Sequence, residues 1–324
     1  MVCTHQPPGR AGLVRSGDAP PPCEEWTRVQ RLNLMEVSMM TETFDAVAFK
    51  QSQRRDWNGV APGWRRWYDV VEDGGQAVTR TLVERAGIGP GDAVLDVATG
   101  YGEPALAAAR TVGPAGWVVA TDISAEMLAF GRERAAAHGL ANIEFVEADA
   151  EGLSFDPGTF DAVLSRQGLQ FLPDVPGTLR RLLSFLKRDG RLAAAVWGPP
   201  ATVDFARPVP VVLAELGLPS PPPGRPGIFA LADAGRLATL LAEAGFRDVE
   251  TGSVEAVYET ASPEAMTEWT KDLSAPIANL VRGQPDAVAE RVWRKVTEAW
   301  APLVTPEGRV RTRNQALWAA GTSR

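Results

Sequence analysis

A chain of 324 residues with 45% hydrophobic content is long enough to bury one large core or two smaller ones. Its net charge of −7, from 33 Lys and Arg against 40 Asp and Glu, argues against a nucleic-acid partner, because phosphate contacts need clustered cations. Both cysteines, Cys3 and Cys23, lie in the N-terminal tail with His5, so only His138 remains downstream. That excludes a disulfide framework, a Cys/His metal site and a Ser-His-Asp or Cys-His catalytic set from the core.

Residues 1–40 mix Pro, Gly, Arg and Glu without period around Pro20-Pro21-Pro22, and read as a disordered tail, with Met39 or Met40 as a candidate native start. Neither an apolar signal core nor a run of about 18 apolar residues occurs, so the expectation is a soluble cytoplasmic protein with no stable membrane insertion. From Thr43 to Ala86 the pattern predicts two or three helices, with Phe44, Phe49, Trp57, Trp64, Trp67, Tyr68 and Val71 giving unusual aromatic content before a turn at 87–92. Arg54-Arg55 and Trp64-Arg65-Arg66-Trp67 interleave cations with rings. The reading preferred over an anion patch is a helix with rings on the core and arginines in water.

Val94 to Val97 is a short apolar run of the kind that fills a buried strand. It stops at Gly100 and Gly102, and an Ala-rich segment follows from Pro104 to Arg110, so the pattern is strand, tight turn, helix. Glycine serves such a turn where backbone approaches a ligand or φ is positive, and Pro104 suits a first helical turn. Further β-α units follow. A strand over 116–121 ends at Asp122, Ser124 is a natural N-cap, and a helix runs to His138 and Gly139. Strands are expected at 143–147, 160–165 and 191–197, with a helical stripe of Leu179, Leu182, Leu183 and Leu186 and a turn at Arg188-Asp189-Gly190 before the last. Beyond the proline-rich loop at 219–226, a helix through Leu237, Leu240, Leu241 and Ala244 precedes a strand over 246–251. Residues 263–300 read as helical with Val288, Val292, Val296 and Trp300 on one face, and 315–320 as a last strand.

Two ligands compete for the turn. Gly100-x-Gly102-x-x-Ala105 with Asp122 about 20 residues on fits a dinucleotide fingerprint, which leaves an NAD(P)-binding oxidoreductase open. Asp96, at the end of the first strand, favours a ligand carrying positive charge instead of a pyrophosphate. A non-catalytic nucleoside-binding module is the third reading.

Asp96-x-Ala98-x-Gly100-x-Gly102 resembles the first motif of the class I S-adenosylmethionine-dependent methyltransferases, D/E-x-G-x-G-x-G, with Ala98 in place of the first glycine and expected at negative φ. Asp122-Ile123-Ser124-x-x-Met127-Leu128 and Phe160-Asp161-Ala162-Val163 are further local matches. The resemblance implies an α/β fold with a doubly wound, mostly parallel seven-stranded Rossmann-like sheet, an N-terminal helical lid (41–92), a cofactor-binding core (93–198), and substrate-side helices with closing strands (199–324), including a helical insertion before the last strand. By the same resemblance Asp96 holds the methionine amino end of S-adenosyl-L-methionine, Asp122 the ribose hydroxyls and Asp149 the adenine amino group, between Ile123 and Ala150. Ala98, Thr99, Gly100, Tyr101, Gly102, Met127 and Ser165 complete the implied cofactor contacts, and no metal is implied. Around the methyl group the segment 165–171 is expected, with Arg166, Gln167 and Gln170 as the candidate catalytic residues and Tyr101, Trp64 and Tyr68 as aromatic walls. Asp161, before its strand, is structural.

Within the family the chain is most similar to the ubiquinone/menaquinone biosynthesis C-methyltransferases, which carry Arg-Asn where Gln170-Phe171 stands here. The acceptor therefore stays open, a small apolar or aromatic molecule being favoured, and a homodimer is allowed.

Overall fold

The computed structural model describes residues 44–220 and 224–324; the tail expected at 1–40 and the centre of the proline-rich run lie outside the described residues. Its frame begins with β1 (Ala93–Val97), buried at every position. A strand covered on both faces cannot alternate, which is why it reads as a continuous apolar run. The following turn leads into α3 (Ala105–Val112), after α1 (Ala46–Arg66) and α2 (Tyr68–Arg85). Pro104 is the N-cap of α3, one place earlier than the first-turn position expected for it.

Next come β2 (Trp117–Asp122), α4 (Ala125–Ala137), β3 (Ile143–Glu147), β4 (Phe160–Arg166), α5 (Val175–Phe185) and β5 (Leu186–Trp197). Ser124 caps α4 by accepting the Met127 amide at 3.2 Å, as its place in the sequence predicts. Leu186, expected on a helix, begins β5, and Arg188-Asp189-Gly190 lies inside that strand as an irregularity with Asp189 at φ 62.

The second half holds α6 (Pro208–Leu216), α7 (Arg236–Ala244), β6 (Arg247–Thr260), α8 (Pro263–Leu273), α9 (Ala275–Arg282), α10 (Asp286–Ala299) and β7 (Val310–Thr322). The three helices α8 to α10 form the insertion before the last strand. Val292, Val296 and Trp300 are fully buried along one face. The sequence pattern did not reveal α6, and β6 and β7 run well past the apolar stretches that announced them. Their outer halves pair with each other, Glu255↔Gln315 to Thr260↔Val310, and alternate buried with half-buried or exposed positions, so no apolar run marks them.

The sheet order is β3-β2-β1-β4-β5-β7-β6, parallel except for β7. Helices α2, α3 and α4 cover one face, where Val71, Val78, Leu82, Ala108, Val112 and Phe130 meet Val94 and Leu164. Helices α5 and α7 cover the other, where Leu179, Leu182, Leu237 and Leu240 meet Leu95, Val97 and Val163. Each such buried aliphatic side chain contributes about 1.5–3 kcal/mol. Strand order reverses between β1 and β4, which opens a crevice beyond their carboxyl ends. An antiparallel β7 wedged between β5 and β6 departs from the 3-2-1-4-5-6 order of dinucleotide-binding sheets.

Candidate active site

The turn after β1 is built around two carboxylates. Asp96 is fully buried; Oδ2 accepts the Ala105 amide at 3.0 Å and so anchors the start of α3, while Oδ1 has no hydrogen-bond partner. Burial pushes this carboxyl up to about 7, against the nearby Thr99 hydroxyl, the Arg166 charge and the Ala105 amide. Asp122, at the tip of β2, accepts the Gly100 amide on Oδ2 and the Ser124 amide on Oδ1, each at 2.8 Å. Burial pushes it up to about 6, with the Ser124, Gly100 and Ile123 amides opposing. Gly100 and Gly102 have φ of 57 and 105, which turns the Gly100 amide onto Asp122. Ala98 does not keep negative φ: it sits at 58, in the left-handed region, a strain of about 1 kcal/mol for a residue with a Cβ.

Asp149 follows β3 and takes the Lys50 ammonium on Oδ2 at 2.6 Å and the Glu151 amide on Oδ1 at 3.0 Å. Lys50 also reaches Glu151 at 3.0 Å, and Arg54 reaches Glu147 at 2.8 Å, so α1 is tied across the tip of β3. Farther along α1, Asn58 accepts the Ser124 hydroxyl at 2.7 Å. Val60 and Ala61 pack on Met127, with Trp57 and Trp64 beside them. Ile123 and Ala150 are half-buried between the tips of β2 and β3.

Tyr101 is the hub of the aromatic wall. Trp64 stacks on it at 5.6 Å, Tyr68 meets it edge-on at 6.0 Å, and its hydroxyl takes a hydrogen bond from Arg166 Nη2. Arg134 lies over the Tyr68 ring at 4.1 Å and pairs with the buried Glu103 at 3.2 Å. Arg166 also donates to Thr79 Oγ1 at 2.7 Å.

The other candidates after β4 divide. Ser165 gives its hydroxyl to the Val97 carbonyl at 3.0 Å, and Gln170 Oε1 accepts the Trp197 amide at 3.0 Å, so both brace the frame. Gln170 Nε2 and both polar atoms of Gln167 are buried without partners. Asp161 accepts the Ala93 amide at 2.8 Å and pairs with Lys187 at 2.7 Å, away from the crevice. Sequence reasoning missed Glu72, whose Oε2 is buried and unpaired beneath the aromatic wall, because nothing local marks one glutamate on a helix as inward-facing. Burial, then Glu103, push its carboxyl above the usual range against Arg166, Arg134 and Arg110.

Residues 94–190 match a family model described as a methyltransferase domain. That stretch of the chain is a methyltransferase domain. It is 38% identical over 146 residues to a Pseudomonas putida ubiquinone/menaquinone biosynthesis C-methyltransferase UbiE, covering 44% of this chain and 57% of that one. The Hahella chejuensis protein of the same name is 34% identical over 166 residues, covering 50% and 61%. The chain thus spans about 57% and 61% of the length of these curated relatives. Among solved structures, a chain from the complex between the Haloferax volcanii Trm112 methyltransferase activator and a methyltransferase superposes with a TM-score of 0.51 at 18% identity, covering 84% of this chain and 97% of that chain. This last likeness is one of fold. Among the described residues no helix is long and apolar enough to cross a membrane, and no group of three or more His, Cys, Asp or Glu is placed to hold a metal ion.

Proposed function

We propose that the chain is an S-adenosylmethionine-dependent methyltransferase acting on a small molecule. The observation that carries the reading is the pair Asp96 and Asp122 on either side of one glycine turn at the strand-order reversal, Asp96 keeping one buried oxygen unpaired. An acceptor-only carboxylate in that position suits the ammonium group of the cofactor's methionine end, and the nearby Thr99 hydroxyl adds a second polar atom there. A pyrophosphate would meet like charge.

Asp122 is the proposed partner of the ribose hydroxyls, since each of its oxygens holds one amide and retains a lone pair. Asp149, with Ile123 and Ala150 beside it, is the proposed adenine subsite, where Lys50 gives way and keeps Glu151. The cofactor supplies an electrophilic methyl group on a sulfonium sulfur. What remains for the chain is alignment and exclusion of water. Met127, Tyr101 and Trp64 wall the cofactor, and Arg166 and Gln167 orient the acceptor, with Gln170 holding the end of β5. The reading places the protein in the cytoplasm and allows a homodimer, which sedimentation would reveal.

Isothermal titration tests the reading. Binding of S-adenosylmethionine and S-adenosylhomocysteine without binding of NAD is expected, and tight NAD binding with neither would overturn it.

A further inference from the structure

Beside the cofactor turn, the carboxyl ends of β4, β5 and β6 carry a second cluster of aromatic and polar groups. Because β7 runs antiparallel to both neighbours, β5 and β6 point the same way, and Trp197 and Tyr258 reach the same edge of the sheet. Their rings lie 6.4 Å apart. Phe205 closes on Trp197 at 4.9 Å, held by its backbone amide, which donates to Asn314 Oδ1 at 3.0 Å. From α8, Trp269 lies 5.7 Å from Tyr258.

Polar atoms without partners collect around these rings. Gln170 is bonded to the Trp197 backbone, yet its Nε2 is buried and free of any hydrogen bond. Trp269 Nε1 and Glu72 Oε2 are in the same condition. Gly74 lets α2 rest directly on the Tyr258 ring and the Val257 carbonyl, and Gly75, three residues after Glu72 and on the same helix face, is turned to Arg166. Arg166 presses on the same helix: its Nη1 would stand 3.0 Å from a Cβ on Gly75. A buried polar atom left unpaired costs about 1–3 kcal/mol, so several around one buried aromatic cluster argue for a ligand that completes them.

We propose that Trp197, Phe205, Tyr258 and Trp269 bind a planar aromatic acceptor whose hydroxyl faces Glu72 and Arg166, and that Glu72 is the general base for its O-methylation. This rests on the methyltransferase reading and names its substrate class. The rings suit a flat apolar body, and the carboxylate suits a phenolic proton. The hydroxyl proton goes to Glu72 Oε2. The phenolate oxygen, oriented by Arg166, forms the new bond to the methyl carbon, and the carbon–sulfur bond breaks with its electron pair on sulfur. Burial, which raises the Glu72 carboxyl, brings it nearer to a base matched to neutral pH.

The test uses 2-naphthol, with naphthalene as the partner lacking a hydroxyl, on the full chain. In the presence of S-adenosylhomocysteine, 2-naphthol should bind wild type at least about tenfold more tightly than Glu72→Leu, while Glu72 should make no difference to naphthalene. With S-adenosylmethionine, Glu72→Gln should lower formation of S-adenosylhomocysteine from 2-naphthol by about 100-fold or more and flatten the acid limb of the pH profile. Its affinity for S-adenosylmethionine should stay within about threefold, as for a group that acts on the acceptor alone. Unchanged 2-naphthol binding in Glu72→Leu, no binding to wild type, binding without turnover, or full activity in Glu72→Gln would each overturn the proposal. A wild type that binds no S-adenosylmethionine would instead overturn the reading beneath it.

Discussion

Ala98 and Gly168 share one space: a Cβ on Gly168 would stand 2.5 Å from the Ala98 Cβ and 2.9 Å from Ser165 Oγ. The methyl group that strains the first turn thus requires the segment after β4 to pass it as bare backbone. Ala98→Gly should remove a left-handed alanine and stabilise the protein by about 0.5–1 kcal/mol in urea denaturation. Gly168→Ala should cost about 2 kcal/mol or more, and the double variant should recover part of that loss, with Ser165 still in the way. Strict additivity of the two changes would contradict the contact.

Asp96 is expected to trade stability for binding. Its folded carboxyl, near 7 against an ordinary 3.8, lies above the unfolded value, so its favourable effect is complete below about pH 4 and is lost as the pH rises through 7. Asp96→Asn keeps an acceptor for the Ala105 amide, and should stabilise the ligand-free protein by roughly 2–4 kcal/mol at pH 8, and by less at pH 5. The same variant should bind S-adenosylmethionine more weakly, while the wild-type affinity climbs between pH 6 and 8. Calorimetric melts that show one constant difference at both pH values would refute the assignment.

Removal of the Asp122 carboxylate reaches the turn and the ligand together. Asp122→Ala strands the amides of Gly100 and Ser124, and should weaken S-adenosylmethionine binding by about 1.5–3 kcal/mol while lowering the melting temperature. Titration calorimetry reads the first effect; an unchanged affinity would contradict the ribose assignment.

Gly74 sets the height of α2 above β6. A methyl group there meets the Tyr258 ring and the Val257 carbonyl, so Gly74→Ala should cost about 1–3 kcal/mol. Hydrogen exchange should rise over 68–85, the helix that carries Tyr68 and Glu72. Equal exchange in both proteins would mean that the helix accommodates the methyl group without lifting.

Lys50 competes for the proposed adenine subsite. Freed of the 2.6 Å ion pair, Asp149 in Lys50→Met should hold S-adenosylmethionine more tightly by about 0.5–1 kcal/mol, a partly exposed pair being worth no more. A loss of affinity would show that Lys50 supports the cofactor instead of excluding it.

Much of the cofactor half is legible in the sequence, because its signals are local. Val94 to Val97 must be doubly covered, Ser124 must cap, and the turn of Gly100 and Gly102 must bend where a strand meets a helix, whatever lies elsewhere in the chain. The φ of Ala98 departs from the sequence expectation for the opposite reason. Its conformation is set by the path of the turn around Asp96 and by the backbone at Gly168, which the motif does not display. Ser165 and Gln170 likewise carry a bracing task that the motif does not display, holding the Val97 carbonyl and the Trp197 amide.

From its sequence alone the protein was determined to be a β-α alternation with acidic strand tips around a glycine turn, since those features follow from periodicity and backbone sterics over a few residues. Only the tertiary structure decided that β7 enters antiparallel between β5 and β6, that Lys50 reaches Asp149, and that Glu72, Arg166, Tyr258 and Trp269 gather in one place. Contacts between residues that far apart in the chain depend on which surfaces bury one another, and burial is a property of the assembled fold.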